Sequence, residues 1–460
     1  MIKMDYKINF VLRGRSNCSF FETIGSFSTV VMILLVTLSL VLSAGVAFAE
    51  GRQDSILGSG RALVSASKIA YRSPADIEAF FVKNKIPREY LSTTTTGADA
   101  VANNDAVRRT GTSDAKIGKA NTRGIIYYRL DYMIPAAAGA GTLSSGILAL
   151  PAGTRPGCGI RLVSYQHGTL FDDRDAPSRL DSCPEAEAVA SVFAARGFAV
   201  AMADYRGLGT YHGFHPYFHA ESVAADCDAF LKATAEFMAA LGLRPAGEKV
   251  YLAGFSQGGH ATLALQRRLE TPGGSECGLA PAANAVIGGA CDPYLLLRSW
   301  TIKPNPLSGA VAGRIITSYG RVYSSERGAI DGAFKPPYAA MMKDIAGNGF
   351  TADKIMKLPA SPRALFSDEF LAGISSPRGE YSKILISNET YRRWRPAAPV
   401  IFYHGGADNI VPPLFSKIAC RSVKMNGGDA GFVVTGEGLD HAGSIIPSCA
   451  AAAEWFGSVK

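Results

Sequence analysis

The chain has 460 residues, 47% of them apolar and only 19% charged, a balance that excludes overall disorder and leaves room for one large domain with an insertion or for two or three ordinary ones. The formal net charge is +8, and Lys3, Lys7, Arg13 and Arg15 against two acids place about two of those charges before residue 50. No dense Lys/Arg block with interleaved aromatics occurs, so nucleic-acid binding has no support.

The basic residues at the start are followed by the apolar run Thr29 to Leu42 and then by Ser43-Ala44-Gly45-Val46-Ala47-Phe48-Ala49. This pattern predicts a signal peptide over 1–49, cleaved after Ala49, and export to the periplasm or the medium. An uncleaved membrane anchor is the alternative, and membrane contact is expected only through this segment or a lipid substrate. Residues 50–123 read as a leader that ends in a flexible linker, because the stretch from Leu91 to about Arg123 is rich in Thr, Ala, Gly, Asn and Asp.

Strands are predicted at Ile125 to Tyr132 and Leu143 to Leu150. Strands and helices then alternate: strand Leu162 to Gln166, helix Glu185 to Arg196, strand Phe198 to Met202, helix Glu221 to Leu241, strand Val250 to Ala253 and a helix from Gly259. Strands at Ala285 to Ile287, Pro399 to Tyr403 and Phe432 to Val434 follow, with a final helix from about Ser444 to Phe456. Such alternation implies an α/β fold with a mostly parallel central sheet and helices on both faces. Between 291 and 396 the rhythm gives way to short helices separated by Pro and Gly. This segment is expected to form a helical cap inserted into a catalytic domain of residues 124–290 and 397–460.

The chemistry starts at Gly254-Phe255-Ser256-Gln257-Gly258, where a strand, a Gly-x-Ser-x-Gly turn and a helix succeed one another. This is the arrangement that exposes a serine nucleophile on a strained turn. A serine needs a base, and the base needs an acid to orient it. His441 lies beyond the last predicted strand and Asp408 beyond the one before it. Ser256, Asp408 and His441 are therefore the candidate catalytic residues, with Asp440 as the competing acid. The backbone of Gln257 and of the loop His167-Gly168-Thr169 is expected to supply the oxyanion donors.

His212, His215 and His219 raise the question of a metal. Gly213 and Pro216 interrupt any regular presentation, and no metal site is predicted. Asp204-Tyr205-Arg206-Gly207 is read as a strand-exit turn held by its own hydrogen bonds. Eight cysteines occur. Setting aside Cys18, an oxidising destination would permit the pairs Cys277–Cys291 and Cys420–Cys449.

With Tyr165-Gln166-His167-Gly168-Thr169, Asp204 to Gly209, Gly254 to His260, Gly405-Gly406-Ala407-Asp408 and His441 in that order, the chain from about Tyr127 to its end resembles the α/β-hydrolase superfamily. More narrowly, it is similar to the secretory lipase family and related bacterial serine esterases. The resemblance implies cofactor-free cleavage of carboxylic esters under a helical lid. A secreted aminopeptidase of the same fold is the alternative; Glu326, Asp331, Asp344, Asp368 and Glu369 would then be candidate partners for a substrate ammonium group. A binding protein that has kept the fold is a further one.

Overall fold

The computed structural model describes residues 56–57, 62–91, 123–135, 141–211, 213–323, 332–348, 351–355 and 357–459. The segment expected as a signal peptide and Cys18 lie outside them. The strands are β1 (Ile56–Leu57), β2 (Leu63–Arg72), β3 (Ile125–Ile134), β4 (Thr142–Pro151), β5 (Gly159–Gln166), β6 (Phe198–Ala203), β7 (Arg244–Phe255), β8 (Ala280–Ile287), β9 (Val400–Gly405) and β10 (Ala430–Gly436). They form one sheet in the order β1-β2-β3-β4-β6-β5-β7-β8-β9-β10. Pairing is antiparallel as far as β4–β6 and parallel from β6 to β10. All the parallel strands thus end on one side, where loops from different crossovers meet.

The helices are α1 (Pro74–Lys83), α2 (Pro184–Ala194), α3 (Ala220–Ala240), α4 (Gln257–Glu270), α5 (Pro293–Ile302), α6 (Ser308–Val322), α7 (Tyr338–Asn348), α8 (Ala352–Ile355), α9 (Pro362–Leu365), α10 (Asp368–Gly373), α11 (Glu380–Ser387), α12 (Pro413–Met425) and α13 (Ile445–Ser458). Strand alternation decides which helix covers which face. In β7, Val250 and Leu252 pack with α3 and α4, while Tyr251, Ala253 and Phe255 pack with Phe193 of α2 and Phe456 of α13. Helix α12 packs on the α4 side through Ala419, Cys420 and Val423.

Two expectations are corrected. The sheet does not begin after residue 123: β2 pairs with β3 over most of its length, and α1 buries Ile77 and Phe81 in the main core. A signal for α1 is present in the sequence, because Ser73 and Asp76 form a reciprocal capping box with Pro74 at the first helical position. Nor do the proposed cysteine pairs form, since all seven cysteines among the described residues are free thiols. Cys420 sits in the α12 cluster and Cys449 in the α13 cluster across the sheet. Cys277 packs against the α3 layer and Cys291 in the α12 cluster. The sheet or a helix layer separates each pair.

Helices α5 to α11 occupy the segment expected as a cap. Their apolar side chains, among them Met342, Ile345, Leu365, Phe366 and Phe370, share a core with Phe171, Tyr217, Phe218 and Val411 from loops of the sheet domain. Trp300 donates its indole N–H to the Ile410 carbonyl at 3.0 Å, and Tyr319 its hydroxyl to Phe218 O at 2.9 Å. No helix among the described residues is long and apolar enough to cross a membrane.

Candidate active site

Strand β7 ends at Phe255, and Ser256 follows with φ 56° and ψ −114°, a left-handed conformation that costs on the order of 1 kcal/mol or more in a non-glycine residue. The surroundings impose it. A Cβ on Gly254 would lie 2.1 Å from Gly258 O, and one on Gly258 would lie 1.9 Å from Gln166 O. Only glycines let β7, α4 and the end of β5 approach this closely. Ser256 N donates to Ile287 O at 2.9 Å, and Ser256 O accepts from Ala290 N at 3.0 Å, so the strained turn is held from the β8 side as well.

His441 Nε2 lies 2.9 Å from Ser256 Oγ, and His441 Nδ1 lies 2.6 Å from Asp408 Oδ2. The order of residues expected from the sequence is thus a continuous hydrogen-bonded line. It exists because the loops after β9 and β10 interlock: Gly406 N donates to Gly436 O at 2.9 Å and Ala407 N to Leu439 O at 3.0 Å. A Cβ on Gly405 would meet Leu439 O at 2.4 Å, which is why Gly405-Gly406 follows the strand. Asp440 points elsewhere, accepting from Gly443 N at 2.8 Å in its own turn.

Asp408 is held by more than His441. Its Oδ1 accepts from the Ile410 and Val411 amides, both at 2.9 Å, and His404 Nε2 lies 3.0 Å from Oδ2. His404 Nε2 also reaches Val411 O at 2.8 Å, and its Nδ1 meets Ser416 Oγ at 2.8 Å. Burial on its own would raise the Asp408 carboxyl, but the facing imidazoles of His441 and His404 and their hydrogen bonds outweigh it and hold the group far below the usual carboxylate range. A carboxylate facing Nδ1 calls for the tautomer with its proton there, which leaves the Nε2 lone pair toward the serine.

The loop after β5 is pinned residue by residue. His167 is buried, stacks on Tyr205 at 4.1 Å, and reaches Gly168 O at 2.7 Å and Asp204 O at 3.3 Å. Burial pushes its pKa down to about 4, so it packs as a neutral ring whose single N–H serves one of the two carbonyls. Gly168 N donates to Glu185 Oε1 at 3.0 Å. This corrects the expectation that Gly168 serves the oxyanion, since a committed amide cannot also point at the nucleophile. Thr169 Oγ1 meets Tyr217 OH at 2.6 Å, and Leu170 O accepts from Arg314 of α6.

Of the three histidines considered for a metal, His212 lies outside the described residues. His215 bonds Arg206 O at 3.1 Å and Gln257 Nε2 at 3.3 Å, which fixes the side chain that follows the nucleophile. His219 caps α3 through Ser222 N. They therefore serve separate elements. Asp204 accepts from Ser178 N at 2.8 Å and Arg206 pairs with Asp226 at 2.6 Å, a hydrogen-bonded strand-exit turn.

His260, on the first turn of α4, is fully buried and donates to Asn388 O at 2.7 Å. Burial lowers its pKa from 6.5 to about 4. Because the folded-state value lies below the unfolded one, the unfolded chain binds the extra proton, and stability is lost as pH falls from 6.5 toward 4. The effect is at most about 3 kcal/mol. His260→Gln removes the titration, and its melting temperature is expected to fall less steeply than the wild type's over this range; parallel curves would contradict the assignment.

His404 and Glu185 are the site residues that the sequence reading did not select. His404 carried a signal, since it stands at a strand end four residues before Asp408. Glu185 carried none, because its partner Gly168 belongs to another loop.

A family model described as "Serine aminopeptidase, S33" matches residues 179–430, a span that contains Ser256 and Asp408 and ends before His441. A comparison with curated sequences returns no significant match. Among solved structures, a protein of Legionella pneumophila assigned to the hydrolases is 24% identical, with a TM-score of 0.69 over 86% of this chain and 98% of that one. The rice cell wall degrading esterase LipA from Xanthomonas oryzae is 20% identical, with a TM-score of 0.66 over 86% and 96%. Candida antarctica lipase A in its closed state is 16% identical, with a TM-score of 0.54 over 77% and 82%. At these identities the likeness is one of fold. The protein is a serine α/β-hydrolase, and the chain belongs to the serine aminopeptidase S33 family of that superfamily.

Proposed function

We propose that the protein is an exported esterase that cleaves carboxylic esters of short or medium acyl chains through Ser256, His441 and Asp408. The observation that carries the reading is the line from Ser256 Oγ through His441 to Asp408, at 2.9 and 2.6 Å, beside a serine in left-handed backbone. His441 Nε2 takes the hydroxyl proton as Ser256 Oγ attacks the acyl carbon. The tetrahedral oxyanion is held by the amides of Gln257 and Thr169, and the imidazolium returns the proton to the leaving alcohol. Water then repeats the sequence on the acyl-enzyme.

Ester cleavage is preferred over aminopeptidase action because of where the cap carboxylates lie. Asp344 pairs with Lys354 and Asp368 with Lys335, each at 2.9 Å, Asp368 being 90% exposed. Glu369 is exposed, and Glu326 and Asp331 lie outside the described residues. Short or medium acyl groups are preferred because Leu365, Phe366 and Phe370 are spent on the cap's own core.

p-Nitrophenyl esters of increasing chain length compared with aminoacyl p-nitroanilides test both points. Ester turnover is expected to peak below about ten carbons, where each buried methylene still adds about 0.8 kcal/mol of binding. Turnover of the nitroanilides alone would replace the esterase reading by the aminopeptidase one. For export, the expected mature N-terminus is Glu50, checked by sequencing the protein recovered outside the cytoplasm.

A further inference from the structure

Beside the line Ser256–His441–Asp408 stands a second carboxylate that the scheme above does not use. Glu185 lies in the first turn of α2, and its Oε1 accepts from Gly168 N at 3.0 Å and from Tyr165 OH at 2.8 Å. Its Oε2 lies 3.4 Å from the place a Cβ on Gly168 would take, and the Phe255 ring lies 2.9 Å from that same place. Phe255 also packs against His441 in a tilted arrangement, with ring centroids 4.6 Å apart. The carboxylate and the imidazole therefore both lie close to the Phe255 ring; burial pushes the Glu185 carboxyl up, while its bonds to Gly168 and Tyr165 and the nearby His441 favour the charged form.

We propose that Glu185 is a positioning residue of this hydrolase: it turns the Gly168 amide away from the nucleophile so that the Thr169 amide faces the reacting carbonyl oxygen, and its charge favours the imidazolium formed at His441. The proposal rests on the serine-hydrolase reading of the site. Its first part follows from geometry. Three consecutive loop residues are fixed by three different elements: Gly168 by α2, Thr169 by Tyr217, and Leu170 by Arg314 of the cap. A peptide chain anchored on both sides has one orientation left for the amide between them. Donors fixed before the reaction need no reorganisation when charge develops, which is what makes an oxyanion site effective.

The second part follows from the charges around the two groups. His441 faces Asp408 from the β9 loop and Ser256 from the β7–α4 turn, with Asp440 adjacent in the chain and His404 behind Asp408. Glu185 accepts from Tyr165 of β5, and its charge also reaches Cys183 at the start of α2, Tyr205 beyond β6 and Cys449 of α13. None of these four is a cation, so the charge of Glu185 has no basic side chain among them to neutralise it.

Two variants separate positioning from charge and both from folding. Glu185→Gln keeps an oxygen for Gly168 and Tyr165 but removes the charge. Its kcat is expected to fall about 3- to 10-fold at unchanged KM, and the acid limb of its pH profile of kcat/KM to move to lower pH by about half a unit to one unit. Glu185→Ala also frees the Gly168 amide, and kcat is expected to fall about 100-fold, the scale of a displaced oxyanion donor. Fluorophosphonate labelling of Ser256 should persist in Glu185→Gln, and its melting temperature should stay near that of the wild type.

A wild-type pH profile and kcat in Glu185→Gln would overturn the charge effect, and wild-type kcat in Glu185→Ala would overturn the positioning. Should Glu185→Ala not fold, Glu185→Asp, whose shorter stem cannot reach Gly168, replaces it with the same expected loss at unchanged KM. If the wild type neither turns over esters nor labels, it is the esterase reading that fails, a result distinct from equal activity in wild type and variants.

Discussion

Ser256→Ala is expected to lower ester turnover about 10⁴- to 10⁶-fold and to abolish fluorophosphonate labelling, with KM nearly unchanged. The loss is large because the attacking oxygen itself is removed, the one with a base at 2.9 Å and a backbone that projects it out of the turn toward the substrate. Alanine keeps the turn and both glycines, so the fold and substrate binding survive. Because Ser256 and His441 act as a unit, Ser256→Ala/His441→Ala should be no slower than either single variant. Residual turnover above about a tenth of the wild type would show that Ser256 is not the nucleophile.

Asp408→Asn is expected to lower kcat about 10⁴-fold in a protein that remains folded. The reason is specific to the surroundings of this carboxyl. Ile410 N and Val411 N both donate to Oδ1, so the introduced amide must keep its oxygen there. Its NH₂ then takes the place of Oδ2, facing His441 Nδ1. Two donors cannot face each other, so His441 moves its proton to Nε2 and presents N–H, not a lone pair, to the serine. Asp440→Asn is the control. Its side chain accepts the turn bond from Gly443, and the change should leave kcat within about threefold of the wild type, as expected for a half-buried turn residue away from the serine. Equal losses in the two variants would put the choice of Asp408 in error.

Much of the scaffold was legible because it obeys local rules. Phe198–Ala203 and the second half of β7, Val250 to Phe255, are buried on both faces and read as apolar runs, and α3 shows helical periodicity over 21 residues. Strand β2 was not legible. It pairs on both sides, yet Ser65, Ser67 and Lys68 dilute its pattern, and only Leu63 and Ala66 of its ten residues are fully buried. Within the cap, α5 and α11 leave only a weak local signal. Their buried residues face a core shared with loops of the other segment, a partner that no local window contains.

The sequence by itself marked the candidate reacting groups and their order, because a nucleophile turn needs its two glycines and a strand-end loop needs room, and both requirements leave marks within a few residues. Tertiary structure alone decided which groups surround them. The Gly168 amide is taken by Glu185, Asp408 is held by His404, and the cysteines are kept apart by the sheet or a helix layer. Each of these outcomes is a contact between chain segments brought together by parallel crossovers, and hydrogen bonds of 3 Å between such segments depend on the positions of whole elements rather than on any local pattern.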